Sequence, residues 1–260
     1  MTGVSSNVSQ TPEKVYSPET EGYLASFAEF LKSFPLQGDA LYEKLFSRHS
    51  DLIQTQKARV AIANLEKILN ATFDISSISG FDKMSLRDLS KRTGMSMGAI
   101  YSCITKKEDI ALMVADVVRL SSELTLKHAM KSSIHWSQIE QSIRFHLYAS
   151  TLLQPWYFFL YFETRSLPVQ QQLESKNIEL DALSSFEDRI KAGVDAGEFH
   201  TNDAAMVSNT IVVLLEDWYL KPWKTQSLTR EHQSLFKQEE LLNNYCQSLV
   251  GLVRKLLAVS

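Results

Sequence analysis

The stretch LRDLSKRTGMSMGAIYS, Leu86 to Ser102, holds two short helical patterns parted by one glycine. Leu86, Leu89 and Ile100 fall where two crossing helices can share a small core, and Ser90 is small where they would approach. Gly94 can adopt the positive φ that such a tight turn needs. Ser85 is placed to cap a first helix through Arg92, and Ser96 to cap the second. Leu86, Leu89, Ser90, Gly94 and Ile100 together make a helix-turn-helix signature, whose second helix enters a DNA major groove. An ordinary αα-hairpin in a helical protein would show much of the same pattern. The segment before it strengthens the first reading. From Gln56, the residues Ala58, Ala61, Leu65, Leu69 and Phe73 recur at helical steps and offer a third wall for a small core.

Helical periodicity governs the rest of the chain as well. Lys106-Lys107 open a helix expected to reach about Met130, followed by helices at about 137–153, 155–166, 168–196, 203–220 and 232–258. Pro155 and Pro168 sit at first-turn positions, and Gly197 is a plausible C-cap. A longer connection is expected near 221–231. Residues 1–20 are rich in Ser, Thr and Pro, the composition of a disordered segment. The patterns GYLASFAEFLKSF and DALYEKLFSRHSDL follow, broken by Pro35 and Gly38, and should pack on another part of the molecule. No convincing strand pattern and no internal repeat occurs. The expected fold is all-α.

The 260 residues suffice for one large helical unit or two small domains. Net charge is −3, but residues 54–115 carry nine basic and six acidic side chains, leaving −6 for the remainder. A mildly basic module on an acidic body fits a phosphate-facing end, although solvated surface can give the same split. Cys103 and Cys246 are far apart in helical patterns, which points to a reduced compartment rather than a disulfide scaffold. The polar start MTGVSSNVSQTPEK lacks the features of a secretory signal. The longest apolar run, Trp156 to Phe162, is far short of a membrane span. A cytoplasmic location with no membrane partner is expected. The histidines are scattered, there is no HExxH, GxSxG, P-loop or GxGxxG, and Glu66, Glu163 and Glu216 lie in separate helices. No enzyme activity, catalytic residue, cofactor or metal site is therefore expected.

Residues from about Lys57 to Val117 resemble the DNA-binding domain of TetR/AcrR-type transcriptional regulators. Phe73, the segment GFDKMSLRDLSKRTG, then SMGAIY and TKKED carry the likeness. The resemblance implies an extension over 1–53, a three-helix DNA-binding domain over 54–115 and a ligand-binding and dimerisation domain over 116–260. It implies that Ser85 and Arg87 touch the DNA backbone and that Ser96, Met97, Gly98 and Ala99 face the groove. Tyr101 and Lys107 would reach phosphates. The chain departs from the family at Met97, where lysine is frequent, and at Tyr101-Ser102-Cys103-Ile104, where an aromatic YHYF run is common. Met97 could meet a thymine methyl or simply be a half-exposed helix residue. Cys103 reads as a core thiol.

The run WYFFLYF, Trp156 to Phe162, is apolar all round and suits either solid core or the wall of an effector pocket. Trp156, Phe159, Arg144, Glu163 and Arg165 are the expected ligand-binding residues, with an arginine serving an anionic effector. His146 lies close by. The stripes Ala204, Val207, Ile211, Leu214, Leu215, Trp218 and Leu241, Tyr245, Leu249, Leu252, Leu256 fit a dimer interface of the kind the family builds from its last two helices. The segment EDWYLKPWKTQ is similar to members that regulate lipid or acyl-CoA catabolism. The resemblance thus implies a homodimeric repressor, released from double-stranded operator DNA by a small effector that tilts the helix beginning at Lys107. The alternative is a helical ligand-binding or interaction protein with little sequence-specific DNA binding.

Overall fold

The computed structural model describes residues 23–55, 57–224 and 235–259. Its helices are α1 (Phe27–Ser33), α2 (Gly38–Arg48), α3 (Ala58–Ser79), α4 (Leu86–Thr93), α5 (Met97–Tyr101) and α6 (Glu108–Ala129). They continue as α7 (His135–Leu152), α8 (Gln154–Glu163), α9 (Val169–Asp195), α10 (Ala204–Leu220) and α11 (Leu235–Leu256). A 3-10 turn, Thr164–Ser166, follows α8. No strand occurs among the described residues, so the all-α expectation holds. Segment 1–20 and most of the 221–231 connection lie outside those residues.

The helices form where periodicity and caps place them. On α3, Ala61, Leu65 and Leu69 are fully buried and Phe73 packs partly buried, whereas Ala58 is exposed at the start. Pro155 occupies the first turn of α8, where its missing N–H loses no helical bond. Helices α3, α4 and α5 close around Leu65, Leu69, Leu89 and Ile100, all fully buried. In the body, α6 packs against α7, α8 and α9, while α10 rests on α7 and α9, and α11 on α7 and α10.

The segment before α3 is seated on both parts. Phe30 of α1 is fully buried, edge-on to Phe145 of α7 at 5.2 Å and stacked with Phe34 at 4.5 Å. The Leu24 N–H donates to Gln141 Oε1 at 2.8 Å, and the Tyr23 hydroxyl donates to Glu140 at 2.6 Å. Helix α2 lies along α3, and Arg48 forks onto Asp116 of α6 through two bonds of 2.6 Å. Burial pushes the Asp116 carboxyl up, but bonds from His49 and Arg48 outweigh it and hold it well below the usual range.

Candidate nucleic-acid interface and effector cavity

The helix-turn-helix is built from short-range bonds. Ser85 starts α4 with a capping box: its hydroxyl accepts the Asp88 N–H at 3.3 Å and donates to Asp88 Oδ2 at 2.6 Å. The same carboxylate accepts the Ser85 N–H at 2.9 Å. Gly94 ends the helix at φ 70° and ψ 9°, the left-handed conformation expected of it. Ser90 does more than leave room, since its hydroxyl donates to the Met95 carbonyl at 2.6 Å and pins the turn to α4. Ser96 caps α5 by accepting the Ala99 N–H at 3.2 Å. The Ser102 carbonyl accepts the N–H groups of Gln54 and Thr55 at 2.9 and 3.2 Å, tying the far end of the motif to the chain before α3. Cys103 is fully buried, and burial raises its thiol pKa, as suits a core residue.

One face of this unit looks outward. Ser85, Arg87, Ser96 and Gly98 are exposed, Met97 and Ala99 are half-buried, and Tyr101 is 46% exposed. The Tyr101 hydroxyl has no hydrogen-bond partner among the described residues. A Cβ added at Gly98 would meet only Ser96 Oγ, at 4.0 Å, so the protein's own packing does not demand glycine there. Lys107 departs from expectation. Its ammonium donates to the carbonyls of Asp82 at 2.6 Å, Phe81 at 3.2 Å and Met84 at 3.3 Å, and lies 5.3 Å from the Phe81 ring centre. As placed, it holds the loop before α4 rather than a phosphate. The neighbouring Lys106 is exposed, as is Lys83 in that loop.

A cavity of about 60 Å3 opens in the body between α6, α7, α8, α9 and α10. Its apolar walls include Val118, Leu160, Ile178, Phe186 and Leu215, and its polar lining includes His146, Tyr157, Glu179, Glu216 and Tyr219. Tyr157 donates to Ser121 Oγ at 3.0 Å and packs 5.0 Å from the Tyr219 ring and 5.5 Å from His146. Glu216 makes no hydrogen bond or ion pair among the described residues. Burial, and then the charge of Glu179, push its carboxyl up to about 7. Burial also lowers His146 to about 4, which keeps the imidazole neutral near pH 7. Glu179 and Tyr161 are exposed and flank the mouth.

None of the five expected ligand residues lines this cavity. Trp156 and Phe159 turn the other way: Trp156 is edge-on to Phe73 of α3 at 5.1 Å, and Phe159 is edge-on to Phe81 at 4.9 Å. A Glu163 carboxylate oxygen accepts the Phe81 N–H at 2.7 Å. Arg144 is paired with Glu140 at 2.7 Å on its own helix, and Arg165 is exposed on the 3-10 turn. The difference is one of helical phase. Helix α8 buries two faces, and a continuous aromatic run does not reveal which one borders a hollow. The signal for Glu216 was its position inside the apolar pattern of α10, beside Leu215 and Tyr219.

Comparison with solved structures then decides the architecture. A tetR-family regulatory protein from Rhodococcus RHA1 superposes with a TM-score of 0.62 at 17% identity, covering 76% of this chain and 98% of that one. The chain has the TetR fold. Other TetR-fold structures agree with it at similarly low identity. The regulator FadR from Bacillus subtilis, solved with stearoyl-CoA, gives a TM-score of 0.55 at 14% identity, covering 74% of this chain and 98% of that one. AibR, solved with isovaleryl coenzyme A and operator DNA, gives 0.58 at 12% identity, covering 76% and 100%. No family model and no curated protein matches the sequence. The structural neighbours are transcriptional regulators rather than enzymes. Among the described residues of this TetR fold, no helix is long and apolar enough to cross a membrane, and no His, Cys, Asp and Glu side chains cluster as a metal site.

Proposed function

We propose that this chain is a ligand-responsive transcriptional regulator that binds operator DNA as a homodimer and is released by a small effector. The observation that carries this reading is the open face of α5, where Gly98 is small without any internal need and Tyr101 offers a free hydroxyl. A helix with a bare patch flanked by a hydroxyl donor can lie close to base edges while gripping a phosphate. Ser85, Arg87, Ser96, Met97, Gly98, Ala99 and Tyr101 form the DNA face, with Lys106 beside them as the phosphate-facing lysine in place of the engaged Lys107. Residues 54–115 serve as the DNA-binding unit, 116–260 as the effector-binding and dimerisation unit, and the first 53 residues as an extension laid across both.

Helix α8 suggests how the two units communicate. Its Tyr157, Leu160 and Tyr161 side borders the cavity, while its Trp156, Phe159 and Glu163 side holds α3 and the loop before α4. A ligand that shifts α8, or α6 beside it, shifts the helix-turn-helix as well. In a dimer that movement changes the separation of two recognition helices, which must match successive major grooves roughly 34–36 Å apart or a multiple. Repression with release by effector is the simplest use of such coupling.

The test is binding to duplex DNA selected from a random pool, measured across a salt series. Affinity should fall with a slope of roughly −0.9 per neutralised phosphate in log–log form. Tyr101→Phe should lower affinity about three- to tenfold, the effect of one hydrogen bond of roughly 1 kcal/mol, while melting and dimerisation stay unchanged. A second reading, a helical ligand-binding module without DNA binding, draws on Lys107 being engaged with carbonyls. No salt-dependent DNA binding, and no change in Tyr101→Phe, would favour that reading.

A further inference from the structure

We propose that the cavity takes a small organic cation, a protonated amine or quaternary ammonium, held between Glu216 inside and Glu179 at the mouth. This deepens the effector reading above and rests on it for its regulatory meaning. The lining contains two carboxylates and no lysine or arginine. Neither Glu179 nor Glu216 has a hydrogen bond or ion pair among the described residues. A carboxylate in a largely apolar hollow without a counter-ion destabilises the fold, and a ligand cation removes that penalty.

A separate observation points to the same occupant. Tyr219 is only 7% exposed, borders the cavity, and its hydroxyl has no hydrogen-bond partner among the described residues. The ring is buried while the unpaired hydroxyl itself reaches accessible space, so a molecule in the cavity can supply its partner. The rings of Tyr157, Tyr161 and Tyr219 line the same space, and their faces attract a desolvated cation. His146, neutral at pH 7, adds no opposing charge.

Anionic ligands fit poorly. The acyl-CoAs solved with FadR and AibR belong to those proteins, and their phosphates would approach two like-charged carboxylates here. That repulsion grows as water is excluded. The hollow of about 60 Å3 has room for a few water molecules, so it suits a compact head group better than a long acyl chain.

The experiment uses the full chain without DNA and compares choline with its uncharged isostere 3,3-dimethylbutan-1-ol by calorimetry. Octanoyl-CoA serves as the anionic control. Choline should bind at least roughly tenfold tighter than the alcohol. Glu216→Gln should erase that preference, and Tyr219→Phe should weaken choline while leaving the ratio in place. If Glu216→Gln does not fold, the exposed Glu179→Gln reads the same preference, which should shrink several-fold. Equal binding of choline and the alcohol, no choline binding at millimolar concentration, or choline affinity unaffected by the folded carboxylate variants overturns the assignment. Choline binding by a chain that never binds DNA refutes the regulator and leaves the cavity assignment standing. DNA binding that responds to octanoyl-CoA but not to choline does the reverse.

Discussion

Gly94 and Gly98 lie four positions apart and answer to different demands. Gly94 sits at φ 70°, and an added Cβ there would touch nothing within 4 Å, so only backbone conformation opposes substitution. Gly94→Ala should therefore lower stability by about 1–2 kcal/mol in urea denaturation. Gly98→Ala, in ordinary helical geometry with open space, should keep or raise stability by up to about 1 kcal/mol. It should nonetheless weaken operator binding, because in the proposed complex the new methyl would stand between α5 and the groove. A Gly98→Ala protein with undiminished operator affinity would show that this surface does not approach DNA. The same scale holds a pH prediction. Glu216 titrates at about 7 in the fold, above an unfolded value of 4.5, so the folded state binds the extra proton between those limits. Stability from this group is present below about pH 4.5 and lost as pH rises to about 7. Glu179, Tyr157, Tyr161, Tyr219 and the neutral His146 face it, and none supplies a positive charge to reverse that sign. Glu216→Gln should thus be more stable than the parent by about 1–2 kcal/mol at about pH 8, after allowance for water in the cavity. Melting curves across pH should show the gap closing towards about pH 4.5.

At the scale of the element, α8 is the part whose two faces do separate jobs. The bond from the Phe81 N–H to Glu163 fastens the loop before α4 to the body. Glu163→Ala should cost about 1 kcal/mol of stability, the net worth of such a bond. Its larger effect belongs to communication: the factor by which effector changes operator affinity should fall, while effector affinity in the absence of DNA stays close to the parent. Measuring both affinities in both backgrounds checks this, since linkage requires effector and DNA to alter each other's binding by one factor, typically about 5–150-fold. An unchanged factor would move the coupling from α8 to α6 alone. The existence and span of α8 were legible from Pro155 and the apolar run. Its rotation was not, because a helix apolar on every side carries no moment that orients it.

At the scale of the whole molecule, the expected dimer stripes divide. On α10 the expected stripe turns inward, with Val207, Ile211 and Leu215 buried and Ala204, Leu214 and Trp218 half-buried, and the exposed apolar side chains are Met206 and Val213, outside that stripe, at 59% and 51%. On α11, Leu242, Cys246, Leu249 and Val253 face the core, and Leu252 and Leu256 remain about two-fifths exposed at 43% and 41%. The outward apolar side chains of both helices suit a self-complementary interface. Leu252→Glu should give a folded monomer by sedimentation at micromolar concentration and abolish tight operator binding, since one recognition helix would lose its partner. A dimer that survives this change would place the interface elsewhere.

The sequence by itself determined the helical class, the helix-turn-helix and most helix limits to within a few residues. Those features arise from short-range causes: a 3.6-residue period, capping hydroxyls at Ser85 and Ser96, a left-handed Gly94 and a first-turn Pro155. Only the tertiary structure decided which side chains meet. It brought Glu179 of α9 beside Glu216 of α10, turned Lys107 onto the carbonyls of Phe81, Asp82 and Met84, and seated α1 on α7. It also laid the Phe199 ring across Gly193, where a Cβ would come within 2.2 Å. Such meetings depend on the rotation and crossing of helices distant in the chain. That is fixed by packing the whole core at once, not by any local run of residues.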